Sequence, residues 1–481
     1  MAAELARAGG VLACLGLAVL LVATPRWARL GGFAAWAVGG LLLMPYLVPG
    51  GHERLLPVAG AVGAAVAAAL GALFLRRPWL LPVAALALAP VRLPVELGGE
   101  RASLLVPLYV VVAGAAAAVL WRLVRDAGAP RPLGVVSWPL AAFLAWSGAS
   151  LLWTVDLRQA TVQLVAFLLP FAMLAVGVAS LPWSRRWLSA LHLQLAAMAL
   201  LFAAVGGYQW LNREVFWNPR VEVGNAYAPF YRVNSVFWDP SIYGRFLVVA
   251  ILASLVLVLA RTSPRVALAA AAAVVLTWGG LVLSFSQSSF VALAVGVLAA
   301  AAFAWERRVV LALGALVAVL ALAGLAAPQV RAELRQDLDR ATSGRASLVT
   351  NGIRIAAQNP VAGVGLGGFV RAYADLTGLE GEQPRAAASH NTPVTVAAEL
   401  GLPGLALLLW LVGAALVTTL RRSSRSFAGR ASLIVGLGVL AIFAHSLFYA
   451  AFFEDPMTWG LLGLGALVVA WRGGDRREAE A

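Results

Sequence analysis

The sequence predicts an all-α fold, a polytopic transmembrane helix bundle of about 12 to 15 spans with a helical extracytoplasmic loop domain. Three observations predict it. Of the 481 residues, 62% are hydrophobic and only 12% charged, whereas a soluble domain carries roughly a quarter charged residues. Apolar stretches of about 20 residues recur along the chain, each long enough to cross a bilayer. No alternating ten-residue pattern of barrel strands appears. An ordinary water-soluble enzyme is thereby excluded, and because backbone donors and acceptors in hydrocarbon need internal partners, the apolar stretches are forced into helices.

The N-terminal transmembrane region, 1–211, holds apolar segments at 9–23, 31–49, 55–75, 79–97, 102–121, 133–152, 160–181 and 187–211. Segment 79–97 is the least regular: Pro82, Pro90, Pro94, Arg92 and Glu96 point to a broken or re-entrant path. An extracytoplasmic loop, 212–240, precedes the central transmembrane region, 241–327, with segments at 241–260, 266–284, 288–305 and 309–327. A larger extracytoplasmic loop fills 328–392. The C-terminal transmembrane region, 393–471, holds segments at 393–420, 431–451 and 456–471, and 472–481 is a cytoplasmic tail. Ala, Leu, Gly and Val dominate the spans, which permits close helix packing. Val11 to Cys14 has the outline of a lipoprotein cleavage box, but the residues before it include Glu4 and Arg7 and no apolar run, so no lipid attachment is expected.

All 36 basic residues are arginine, against 22 acidic ones, giving a net charge of +14. In a membrane protein such an excess is first expected from cytoplasmic loops, so it does not argue for nucleic acid. Assigning alternate connections to the cytoplasm puts twenty arginines there, among them Arg26, Arg76, Arg122, Arg185, Arg265, Arg421 and Arg472, and leaves five on the opposite short segments: Arg7, Arg54, Arg92, Arg101 and Arg158. The positive-inside rule then sets the C-terminus in the cytoplasm and the N-terminus outside. Eleven further arginines belong to the two long outer connections or their edges: Arg213, Arg220, Arg232 and Arg245, then Arg331, Arg335, Arg340, Arg345, Arg354, Arg371 and Arg385. Loops above roughly 15 residues are usually functional or disordered. The second reads as structured: Arg331 to Gln358 is expected to form one or two helices interrupted at Ser343 and Gly344, with Ile353, Ile355 and Ala356 as apolar contacts and Pro360 after their end.

Conventional catalytic signatures are missing: no H-E-x-x-H, no P-loop, no G-x-S-x-G and no paired D-x-D suited to a metal-bound sugar nucleotide. The single cysteine, Cys14, excludes an internal disulfide and a cysteine-based metal site. The run Gly363-Val364-Gly365-Leu366-Gly367-Gly368 has no strand-to-helix unit around it, and reads as a tight turn or as a backbone nest touching a phosphate. Of the histidines, His52, His192, His390 and His445, only His390 stands in a chemically crowded place, Ser389-His390-Asn391, directly before a span. There it exchanges a proton near neutral pH while Asn391 orients it or a substrate hydroxyl, or else the tripeptide simply caps a helix ahead of Pro393. His192 and His445 read as satisfied polar residues inside the bundle. Arginines beside the outer membrane face suit an anionic headgroup, since the guanidinium fork pairs bidentately with phosphate. Arg331, Arg335 and Arg340 read as a solvated helix face. Arg232, Arg345 and Arg354 have the better claim, Arg232 because it lies among the aromatics and polar turns of Tyr231 to Pro240.

At these residues the chain resembles the O-antigen ligase and polymerase superfamily, membrane glycosyltransferases built around a large periplasmic loop. The matching pieces are Arg232 to Phe246, Ser284 to Leu293, Gly344 to Phe369, with Asn359-Pro360-Val361-Ala362-Gly363-Val364-Gly365 as the clearest part, and Ser389 to Gly404 with His390, Asn391, Glu399, Gly401 and Gly404. The resemblance covers about 230 to 420. It implies transfer of a glycan from a polyprenyl-pyrophosphate carrier to a hydroxyl of a glycolipid, glycan or protein, on the outer face of a bacterial plasma membrane, without cofactor, nucleotide sugar or metal. Residues 328–392 then form the catalytic loop. Arg232, Arg345 and His390 look like the family's functional residues, and Arg354, Asn391, Gln287, Gly363 and Gly365 are expected to bind substrate. Two departures stand out: members often have Ser-Arg where this chain has Ser286-Gln287, and an aromatic where it has Val349.

Repeat-unit polymerisation is the neighbouring alternative, and a small-anion transporter is the competing class. Transporters place ionisable or broken-helix sites near the bilayer midplane; Arg92, Glu96, His192 and His445 are the residues that would serve one. The discriminating geometry is whether Arg232, Arg345 and His390 converge at the outer boundary.

Overall fold

The computed structural model describes residues 1–47, 56–97, 100–125, 133–216, 218–227, 230–260, 263–304, 344–378, 388–421 and 426–480. The expected span 309–327, the arginines Arg331, Arg335 and Arg340, and His52 lie outside the described residues. Within them the chain is helical apart from one short hairpin.

In order, the helices are α1 Ala2–Val22, α2 Arg26–Leu47, α3 Leu56–Arg76, α4 Leu80–Leu88, α5 Val106–Arg125, α6 Ser137–Ala149, α7 Leu157–Gln163, α8 Leu169–Ala179, α9 Arg185–Asn212, α10 Pro219–Tyr227, α11 Pro240–Leu259, α12 Pro264–Ser284, α13 Gln287–Ala304, α14 Arg345–Gln358, α15 Phe369–Thr377, α16 Thr392–Leu420, α17 Phe427–Ser446 and α18 Pro456–Glu480. Ten helical stretches among the described residues are long and apolar enough to cross a membrane, with Leu157–Ala179 counted as one through a π-turn; three shorter apolar helices lie at Gly60–Arg76, Gln287–Ala302 and Pro456–Val468. The polytopic bundle expected from hydropathy is therefore present. Small residues let α1 and α2 meet backbone to backbone: a Cβ on Gly16 would stand 2.4 Å from Trp36 N, and one on Gly39 would stand 2.4 Å from Ala13 N.

Segment 79–97 does not form one helix. Its helical part is α4, nine residues long, and after Pro90 the chain turns into an antiparallel hairpin of β1 Leu93–Leu97 and β2 Glu100–Leu104, with Leu93 opposite Leu104 and Leu97 opposite Glu100. Nine residues rise only about 14 Å. Proline cannot continue the helical hydrogen-bond ladder, and pairing two short strands supplies the partners instead.

The helices have two chemically distinct ends. Arg26 starts α2 and donates through Nε to Leu123 O near the end of α5 at 2.9 Å; Arg185 starts α9 and stacks over Phe427, which starts α17, at 5.7 Å. The starts of α11, α13, α16 and α18 and the ends of α12 and α17 form the other end.

Helix α16 is broken at Gly401, where φ is 68° and ψ is −173°, and Pro403 follows. The freed groups are recovered by the glycine-rich run after α14. Val364 N donates to Ala398 O at 2.9 Å, Gly365 N to Glu399 O at 2.8 Å, and Leu402 N to Pro360 O at 2.7 Å. On its far side the run is held by Trp153 Nε1 to Ala362 O, Thr154 Oγ1 to Leu366 O, and Leu366 N to Ser150 Oγ. An interruption in a span is tolerated when neighbouring backbone satisfies it.

Candidate active site

The end away from Arg26 and Arg185 gathers the site, and Arg232 reaches it on a segment that side-chain amides clamp. Asn225 accepts from Arg232 N at 3.0 Å and donates to Arg232 O at 2.8 Å. Gln209 accepts from Ser235 N and donates to Ser235 O, and Asn234 donates to Phe216 O and Phe237 O. Val233 N and Arg232 Nε donate to Leu283 O and Ser284 O at the end of α12, while Phe230 stacks on Phe285 at 4.5 Å. The aromatic and polar run around Arg232 is thus a strap across the helix ends. Asp239 terminates it by capping α11, accepting from Ser241 N at 2.6 Å.

Arg345 opens α14 directly after Gly344, whose φ of 77° sets the turn at its start; Ser343 and the helix expected before it lie outside the described residues. Burial lowers the pKa of both Arg232 and His390; the Arg345 guanidinium lowers each further, and Asp239 opposes the lowering at both. His390 is half-buried with φ 58°; burial first and Arg345 second hold its imidazole below the usual histidine range. The two arginines, the carboxylate and the histidine that the sequence scatters over more than 150 positions therefore share one electrostatic neighbourhood.

The expected substrate-binding residues divide differently. Asn391 caps α16, accepting from Val394 N at 3.0 Å, and donates to Leu447 O at 2.9 Å, so its amide is spent on architecture, as the capping reading of the tripeptide expects. Gly363 and Gly365 do not form a phosphate nest. They are buried with φ 64° and 86°, their N–H groups donate to Asn359 O and Glu399 O, and a Cβ would stand 2.3 Å from Glu399 O and 2.2 Å from Thr154 Cα. They are packing glycines at the break in α16. Arg354 is exposed, nine positions beyond Arg345 and so about 14 Å along α14. Gln287 is exposed between the buried Ser286 and Ser288, and joins none of the cluster's hydrogen bonds. Ile353, expected as an apolar contact, is 55% exposed, whereas Ile355 is buried.

Sequence reasoning missed several members. His445, fully buried at the end of α17, is hydrogen-bonded through Nε2 to Ser288 Oγ at 3.0 Å, within the Ser286, Ser288 and Ser289 hydroxyl group. Arg245 forms an ion pair with Asp455 at 2.6 Å and donates to Ala451 O at 3.1 Å. Tyr449 lies between His390 and His445. Arg92, just before the hairpin, shares its surroundings with Tyr109, Tyr449, Arg245 and Asp455, and burial lowers its pKa. Burial likewise raises that of Glu454. The only available signal was position: each lies within about two turns of a helix end.

Beyond the cluster an apolar cavity of about 480 Å³ runs between helices. Pro456 and Met457, which follow Asp455, and Val249, one turn past Arg245, line it near the site; Leu257 and Phe427 line it toward the arginine-rich end, and His192 lies in its wall.

Residues 272–409 match the family model described as O-Antigen ligase. That segment runs from α12 into α16 and carries Ser288, Arg345 and His390, while Arg232, Arg245, His445 and Tyr449 lie on either side of it. No curated protein matches the chain. The O-antigen ligase match, over less than a third of the chain, agrees with the resemblance carried by the sequence motifs, and the apolar helices are long enough for a multi-pass membrane protein.

Proposed function

We propose that the chain transfers a glycan from a polyprenyl-pyrophosphate carrier to an acceptor hydroxyl on the extracytoplasmic face of the plasma membrane. The observation that carries this reading is the shared surroundings of Arg232, Arg345 and His390 at one end of the bundle. The reaction is a single in-line displacement. The acceptor oxygen attacks the anomeric carbon as its proton passes to His390 Nε2 or Nδ1, and the bond to the pyrophosphate oxygen breaks, with inversion at carbon. Arg232 and Arg345 hold the pyrophosphate and stabilise the charge that develops on it as it leaves. A cation beside His390 favours its neutral form, the form a base requires. The apolar cavity beside Asp455 suits an isoprenoid chain in size and lining.

Of the four residues that would serve a transporter, Arg92 and His445 share the surroundings of Tyr449 in the cluster, whereas His192 lies in the wall of the apolar cavity. Mass spectrometry of polyprenyl-linked saccharides in cells with and without the protein tests the reading. Full-length lipid-linked chains accumulating on loss indicate a ligase or a protein glycosyltransferase, and single repeats a polymerase. An unchanged lipid-linked pool, in cells making the glycan, overturns glycosyl transfer in favour of transport.

A further inference from the structure

Tyr449 has no part in the reaction as written above, yet it is the side chain on which the cluster closes. It lies in the short connection between α17 and α18. Its ring stands edge-on to His390, with centroids 6.2 Å apart at 64°, and 5.6 Å from His445 at 58°. The connection is tied along its length: Leu447 O accepts from Asn391 Nδ2 at 2.9 Å, Tyr449 N donates to His445 O at 3.1 Å, Ala451 O accepts from Arg245 Nη1 at 3.1 Å, and Asp455 pairs with Arg245 at 2.6 Å. The phenol is therefore held in one place by elements that also carry the histidines.

Its hydroxyl makes no hydrogen bond to a described residue. Asp239, Arg245, Arg92 and Glu454 surround it, and Arg232 senses it. Burial pushes the phenol's pKa up, so it keeps its proton and remains a donor. A protonated hydroxyl near the Arg245 and Arg92 guanidinium groups is complementary to an anion with several oxygens.

We propose, resting on the reading of the site as a pyrophosphate site, that the Tyr449 hydroxyl is a further substrate-binding group, donating a hydrogen bond to the carrier's pyrophosphate alongside Arg232 and Arg345. The test compares binding of a polyprenyl pyrophosphate and of the matching uncharged polyprenol to the purified full chain, in wild type, Tyr449→Phe and Arg345→Ala. Tyr449→Phe keeps both ring contacts. It is expected to weaken polyprenyl pyrophosphate about tenfold, the effect of one hydrogen bond to a charged group, and to leave polyprenol unchanged. Wild-type affinity in Tyr449→Phe, with Arg345→Ala defective, overturns the role of Tyr449 and leaves the pyrophosphate reading standing. Equal loss of both ligands in Tyr449→Phe also overturns it, since packing and not the hydroxyl would then be at issue. If wild type prefers polyprenyl pyrophosphate no more than polyprenol, the pyrophosphate reading itself fails and the proposal with it.

Discussion

His390 receives two opposed influences from its neighbours, Arg345 lowering its pKa and Asp239 raising it, on top of the lowering due to burial. A base must be neutral, so activity is expected to fall as pH drops through the His390 pKa, below the usual histidine range. Asp239→Asn removes the raising charge and keeps a capping side chain on α11; it should move the acid limb of kcat/KM to lower pH, and an unmoved limb would detach His390 from that limb. Arg345→Lys should lose at least about a hundredfold in turnover, because a point charge does not replace the guanidinium fork. Arg354→Ala, altering an exposed residue about 14 Å farther along α14, should stay within a few-fold of wild type; steady-state turnover of a lipid-linked donor separates the two. Arg232 and His390 stand out chemically in local runs, and Arg345 was singled out through the family resemblance. His445 and Tyr449 were not, since a histidine or tyrosine in a span usually is a satisfied bundle residue, and only tertiary structure brings Ser288 within 3.0 Å of His445.

At the scale of elements, the glycine-rich run and the break in α16 are one device. Gly401 and Pro403 release carbonyls of α16, and the run between Asn359 and Phe369 supplies the N–H groups that take them up. Its glycines read in the sequence first as a tight turn and second as a phosphate nest, because both uses demand positive φ; what decides is the partner of each N–H, which no local pattern encodes. The consequence is a stability effect. Gly365→Ala forces a side chain into φ 86° and against Thr154 Cα, costing on the order of 1–3 kcal/mol in backbone strain with overpacking added. It is expected to lower the thermal unfolding temperature of the purified protein and the amount recovered, with donor KM unchanged in the fraction that folds. A raised KM at unchanged unfolding temperature would restore Gly365 to the binding site. Segment 79–97 is the complementary case: its prolines announced a break, but hydropathy alone gave no sign that the chain would pair into a hairpin.

The whole molecule is polarised, with arginine-rich connections at one end and the cluster at the other. Arginine near a span costs least on the cytoplasmic side during insertion, so the end carrying Arg26, Arg76, Arg185, Arg265 and Arg421 is expected in the cytoplasm and the cluster outside. The outer arginines are no exception to that rule, because long loops translocate largely regardless of charge. Site-directed labelling tests this without reference to activity. Cys14, the only cysteine, is buried, so it gives little background. Glu222→Cys, exposed on α10 in the first long connection, should react with a membrane-impermeant maleimide in intact spheroplasts, whereas Arg186→Cys, exposed at the start of α9, should react only after permeabilisation. The two positions flank one span, so they must label oppositely if α9 crosses. Labelling of both from outside would remove α9 from the spans, and the reversed pattern would put Arg232 and His390 in the cytoplasm, where a mechanism that draws on an exported lipid-linked donor has no substrate.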